Sequence, residues 1–93
     1  MYIVIRTYTT TSPLEVLDKV QHDFVPLVTK MPGFINYYVF PFEEDKIVVV
    51  NMFDTQANGE ASNEMAAKWV SENIAQLYTS GPAIIQGETE IAQ

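Results

Sequence analysis

Trp69 and Asn73, one helical turn apart, carry the most suggestive chemistry in this 93-residue sequence. An indole can stack on a flat aromatic molecule and donate a hydrogen bond to it. As the only tryptophan, Trp69 can equally be an ordinary core residue. Asn73 falls on the same helical face as Trp69, Val70 and Leu77, and a buried amide requires partners. It can orient a substrate oxygen or bond a backbone carbonyl. If the helix is turned slightly, it yields its inward place to Ile74. These two residues are the candidates for catalysis.

Other polar side chains interrupt apolar segments in the same way. Asn51 and Asn36 lie in strand-like runs where asparagine is disfavoured, which implies a polar neighbour, an interface contact or a ligand. Tyr8 and Tyr37, with Tyr38 and Tyr78, could supply phenol hydrogen bonds or simply pack. Trp69, Asn73, Asn51, Asn36, Tyr37 and Tyr8 are therefore the candidate substrate-binding set. Arg6 sits inside an apolar strand, where it can pair across the sheet with Glu88 or Glu90 or hold an anion. His22, the sole histidine, falls opposite its helix's apolar stripe, one turn after Asp18, and reads as a solvated partner of that acid.

Much chemistry is excluded. With no cysteine there is no disulfide and no thiolate metal site. No phosphate-cradling glycine loop, metal-ligand spacing or nucleophile motif appears. The acidic run Glu43-Glu44-Asp45 lacks the glycine-spaced ligand pattern of a cation loop and reads as a solvated turn. No metal and no cofactor is expected. A net charge of −7 opposes binding to a phosphate backbone, so nucleic acid is not an expected partner. No apolar run approaches the roughly 20 residues that span a bilayer, and no signal peptide is expected. A reducing cytoplasm fits the lack of cysteine.

An apolar fraction of 47% with 18% charged residues describes a globular chain, and its length suits one domain over residues 1–93. Residues 1–10 are rich in β-branched and aromatic side chains and predict a strand. Ser12-Pro13-Leu14-Glu15 predicts a helix start with a capping box. Leu17, Val20, Phe24, Leu27, Val28 and Met31 then form one stripe over about 18 residues, with a kink expected at Pro26. Met31-Pro32-Gly33 ends that helix. Strands over 34–42 and 46–53 follow, joined as a hairpin. Asp54 or Thr55 can cap a second helix. Asn58-Gly59 is a poor helix interior, so an irregular start or a restart near Ser62 is expected. This helix carries Ala66, Trp69, Val70 and Leu77 on one face and ends at Ser80-Gly81-Pro82. A last strand runs through Ala83, Ile84 and Ile85 to Ile91.

The order β-α-β-β-α-β is the α+β ferredoxin-like arrangement, an antiparallel sheet with both helices on one face. The two central runs do not alternate apolar and polar as a half-solvated strand should. Phe34, Tyr38 and Phe40 face one way, and Ile35, Tyr37 and Val39 the other. Ile47, Val49 and Phe53 likewise oppose Val48, Val50 and Met52. The helices can cover only one side. The other side predicts a homodimer through the sheet face, so the expected partner is a second copy.

With those elements in place the chain resembles the antibiotic-biosynthesis-monooxygenase-like family of dimeric α/β barrels. The resemblance is carried by Pro32-Gly33-Phe34, Phe53-Asp54-Thr55, Trp69-Val70 and Gly87-Glu88. It implies a homodimeric barrel of two packed sheets with the helices outside, and substrate held between helices and sheet. Enzymatic members of the family often place a tryptophan on the second helix. Some oxidise polycyclic phenols without cofactor or metal, and some degrade heme. The heme-degrading branch uses a first-strand asparagine with a tryptophan and a ligating histidine on the second helix. Here the first strand offers Thr7 and Tyr8 and the second helix has no histidine, so heme degradation is not expected.

Three readings follow. One is a cofactor-independent monooxygenase for a small phenol- or hydroquinone-type aromatic, which predicts an enclosed cavity near Trp69 and Asn73. Another is a non-catalytic homodimer that binds small hydrophobic ligands or is associated with stress. The last is a structural or partner-binding module without a cavity.

Overall fold

In the computed structural model, which describes residues 1–91, four antiparallel strands form one sheet in the order β2-β3-β1-β4. They are β1 (Tyr2–Thr10), β2 (Phe34–Phe42), β3 (Lys46–Phe53) and β4 (Tyr78–Glu88). Between β1 and β2 run α1 (Pro13–Lys19), a π-helical turn (Val20–Phe24) and α2 (Val25–Val28). Between β3 and β4 run α3 (Gln56–Asn73) and a 3-10 turn (Ala75–Leu77). This is the expected ferredoxin-like α+β topology. Among the described residues no helix is long and apolar enough to cross a membrane.

Alternation along β1 and β3 sets the core. Tyr2, Val4, Arg6, Tyr8 and Thr10 are buried on one side of β1, as are Ile47, Val49, Asn51 and Phe53 on β3. They pack beneath Val16, Val20, Phe24 and Val28 from the first helical arm and Ala66 and Trp69 from α3. On β2 the expected alternation fails at one point. The register shifts between Phe34 and Asn36, so Ile35 is an extra residue, a β-bulge. Phe34 is thereby turned to the helix side with Tyr37 and Val39, and its ring meets Phe53 edge-on at 6.2 Å.

The opposite sheet face carries Ile3, Ile5, Val48, Val50 and Met52, with Tyr38, Phe40, Phe42 and Ile85 exposed; Ile85 reaches 72%. Val48 and Val50 both belong to this open face. A contiguous apolar sheet face of this kind is rare on a soluble monomer.

Several local expectations are corrected. Ser12 makes no side-chain cap, so the capping box does not form; its own N–H donates instead to Thr10 Oγ1 at 3.0 Å. The kink expected at Pro26 is a π-helical turn just before it, in which the Val25 N–H reaches back to Val20 O. The proline cannot donate to His22 O, and the wider turn absorbs the break. Helix α3 is continuous from Gln56, with Thr55 Oγ1 accepting from the Asn58 N–H at 3.2 Å. Gly59 is tolerated because the Tyr2 ring occupies the place a β-carbon would take. The helix stops at Asn73, and β4 begins at Tyr78, so Ser80-Gly81-Pro82 lies within that strand rather than before it.

The two segments Pro32-Gly33-Phe34 and Phe53-Asp54-Thr55 meet in space. Gly33 has φ +75, and a side chain there would collide with Asp54 and Asn58. The Asp54 N–H donates to Gly33 O at 2.9 Å. This junction fixes where α3 leaves the sheet, and hence where Trp69 arrives.

Candidate functional site

The alternation of β1 delivers Arg6 and Tyr8 to the helix side at mid-sheet, with Tyr37 from β2, Ile47 and Val49 from β3 and Tyr78 from the start of β4. Over them lie Val20 and Phe24 of the π-helical turn and Ala66, Trp69 and Val70 of α3. These side chains line a half-open cavity of about 20 Å³, room for roughly one water molecule. Tyr8 and Tyr78 stack with centroids 4.6 Å apart and planes 16° apart. Phe24 stands between Tyr37, at 5.8 Å, and Trp69, at 5.2 Å. Five of the eleven lining residues are aromatic and five aliphatic, a surface that suits a flat aromatic ligand.

Two open grooves flank the cavity. One, of about 390 Å³, runs beside Tyr8, Val70 and Tyr78 to Gly81 and Pro82. The other, of about 480 Å³, lies between the first helical arm and β2 and ends at Tyr37. Tyr78 lines both the first groove and the cavity, and Tyr37 both the second groove and the cavity. An aromatic molecule needs more room than the cavity offers, so lining side chains must shift to admit one.

Arg6 is the one cation lining the cavity and is 1% exposed. The expected cross-sheet pairing with Glu88 or Glu90 does not form. Arg6 stands opposite Val49 and Ile84, and Glu88 lies four residues further along β4, opposite Tyr2. None of the ion pairs among the described residues includes Arg6. Its Nη1 donates to Asn63 Oδ1 at 2.8 Å, and Asn63 Nδ2 donates to Gln86 Oε1 at 2.7 Å. Its Nε has no partner among the described residues. A guanidinium keeps its charge on burial, so this is an uncompensated positive site.

The tyrosines are tuned by burial. Loss of solvent pushes the Tyr8, Tyr37 and Tyr78 phenols above the usual tyrosine range, and the positive charge of Arg6 only partly offsets this in each. They stay neutral at neutral pH, with a proton available to a ligand acceptor. Among the described residues no carboxylate and no imidazole lines the cavity.

Of the residues singled out from sequence, the fold brings together Trp69, Tyr8 and Tyr37. It does not bring Asn73 with them. Ile74 is fully buried, while Asn73 is exposed and its Nδ2 donates to Trp69 O at 2.9 Å. The cavity expected near Trp69 and Asn73 therefore forms beside Trp69 alone. Asn36 pairs with Met52 and belongs to the open sheet face. Asn51 is fully buried on the helix side but does not line the cavity, and both of its amide atoms lack a protein partner. His22 is exposed, with Nδ1 3.3 Å from Asp18 Oδ1. Arg6 and Phe24 line the cavity although neither belongs to the candidate substrate-binding set. The signal for Arg6 was its place between Val4 and Tyr8 in the period-two pattern of β1.

No protein-family model and no curated protein sequence matches the chain. Solved structures do. A protein of unknown function from Nitrosomonas europaea is similar with a TM-score of 0.79 and 20% identity, over 99% of this chain and 91% of that one. The monooxygenase ActVA-Orf6 of Streptomyces coelicolor, in complex with Nanaomycin D, gives 0.79 at 10% identity, over 99% and 89%. The heme-degrader MhuD of Mycobacterium tuberculosis, with two hemes bound in its active site, gives 0.76 at 17% identity, over 100% and 99%. The chain therefore has the antibiotic-biosynthesis-monooxygenase-like fold.

Proposed function

We propose that this chain binds a small aromatic molecule between its helices and sheet and oxygenates it without metal or organic cofactor, as a homodimer assembled through the open sheet face. The observation that supports this most is the convergence of Trp69, Phe24, Tyr8, Tyr37 and Tyr78 on one cavity. ActVA-Orf6, a monooxygenase of the same fold, holds Nanaomycin D. For a phenol-type substrate the reaction balances with dioxygen alone. One oxygen atom enters a ring carbon, the other leaves as water, and the substrate supplies all four electrons. The protein would contribute a dry aromatic slot, phenol donors and a fixed positive charge.

Heme is not proposed, although MhuD shares the fold. The sole histidine, His22, is on the exposed side of the first helical arm and outside the cavity. A binding-only reading is favoured by one observation: the lining offers no carboxylate or imidazole to act as a base. The lack of cysteine fits a cytoplasmic location.

Oxygen-electrode assays with a panel of dihydroxynaphthalenes and dihydroxynaphthoates, run in chelator, separate the two. Catalysis predicts dioxygen uptake above the spontaneous rate, one dioxygen per quinone formed. Saturable binding without added uptake would leave a ligand-binding dimer.

A further inference from the structure

The cation inside the cavity constrains what the ligand can be. A guanidinium that is 1% exposed, with no acidic partner among the described residues and with Nε unpartnered, is costly unless something negative joins it. One terminal nitrogen is already engaged. Nη1 is tied to Asn63 Oδ1, and Asn63 is tied in turn to Gln86 on β4. That chain reaches from the centre of the sheet toward the surface and fixes how the side chain lies. The neighbouring phenols of Tyr8, Tyr37 and Tyr78 remain protonated through burial and give no countercharge. With no carboxylate or imidazole in the lining, nothing in the cavity can take a proton from an entering ligand.

We propose that Arg6 makes the cavity selective for aromatic ligands that arrive already ionised, as an oxyanion on or beside the ring, and that Asn63 is the positioning residue that holds the guanidinium for them. The ligand's negative oxygen pairs with Arg6 through a charge-assisted hydrogen bond, and its ring lies against Trp69 and Phe24. This rests on the reading that the cavity takes an aromatic molecule, and it narrows that reading to acidic hydroxyquinones or aryl carboxylates. Weakly acidic phenols, which arrive neutral, are poor ligands.

The test is calorimetric titration of the full chain at neutral pH with two matched pairs: 2-hydroxy- against 2-methoxy-1,4-naphthoquinone, and 1-naphthoate against 1-naphthamide. The expected result is an about 10- to 100-fold preference for the charged member of at least one pair, the scale of a hydrogen bond to a charged group. Which pair shows it distinguishes an enolate from a carboxylate. Arg6→Met should abolish the preference while keeping or raising the melting temperature, since an apolar side chain of similar length removes an unpaired buried charge. A merely structural arginine would instead lower it. Asn63→Ala should weaken the charged ligand and leave the neutral one unchanged. Equal binding of charged and neutral members by the wild type overturns the proposal but leaves the aromatic cavity standing. Binding of none of the four compounds overturns both. The wild-type comparison decides the matter even if a variant does not fold.

Discussion

The ring of Tyr2 lies directly over Gly59, in the space that a β-carbon on the helix would need. One turn further along α3, Asn63 reaches Arg6, and further still Trp69 and Val70 close over the cavity that Tyr8 lines. α3 thus follows β1 in the same order, Gly59 at Tyr2 and Asn63 at Arg6. The glycine sets the spacing that lets a short asparagine touch the arginine.

This makes Gly59→Ala informative, because two effects oppose. Helix propensity alone would favour alanine by about 1 kcal/mol. The clash with an aromatic ring costs about 1–3 kcal/mol by overpacking. We predict net destabilisation, measured by urea denaturation, and partial recovery when Tyr2 is also changed to Leu. A more stable Gly59→Ala protein would contradict the close approach.

The faces of β3 give a second prediction. Val50 lies on the open side and Val49 beneath the helices. Val50→Arg should yield a folded chain that sediments as a monomer, while the wild type sediments at twice the chain mass of 10.5 kDa. Val49→Arg should fail to fold, because it places a charge in the core. A Val50→Arg protein that assembles like the wild type would show that the sheet face is not the interface.

Alkaline pH gives a third. Burial raises the Tyr8, Tyr37 and Tyr78 phenols above the ordinary value near 10. Above that pH the unfolded chain gives up these protons while the folded chain retains them, so the unfolded state binds fewer protons and stability falls as pH rises. Stability from these groups is whole below about pH 10 and is lost progressively above it. Tyrosinate absorbance should therefore include a component that appears only together with loss of the folded circular-dichroism signal. Complete ionisation of all tyrosines in a still-folded chain would contradict their burial.

The topology was legible because β1 is rich in β-branched and aromatic residues, the next two strands are continuous apolar runs bounded by turn residues, and both helical arms carry apolar residues at helical spacing. The two-sided apolar character of β3 was equally plain. The side swap of Phe34 was not, because the bulge at Ile35 depends on register with Phe53 and Met52 rather than on local residue type. Asn73 was misplaced for a related reason. The helix ends there, and a small rotation puts Ile74 in the core and leaves the amide to bond Trp69 O. Arg6 was visible as an oddity in an apolar strand, but an ion pair across the sheet was the simpler reading. Only the register, which sets Val49 and Ile84 beside it, shows that no acid is there.

In the proposed function an aromatic ligand occupies the space beside Trp69. As the only tryptophan, Trp69 reports on that space through its fluorescence without any label. Titration with 2-hydroxy-1,4-naphthoquinone should quench its emission saturably, beyond the quenching of free N-acetyltryptophanamide, and Arg6→Met should remove the saturable part. Linear quenching that matches the free indole derivative across the whole titration would show that the ligand never enters, and would contradict the account.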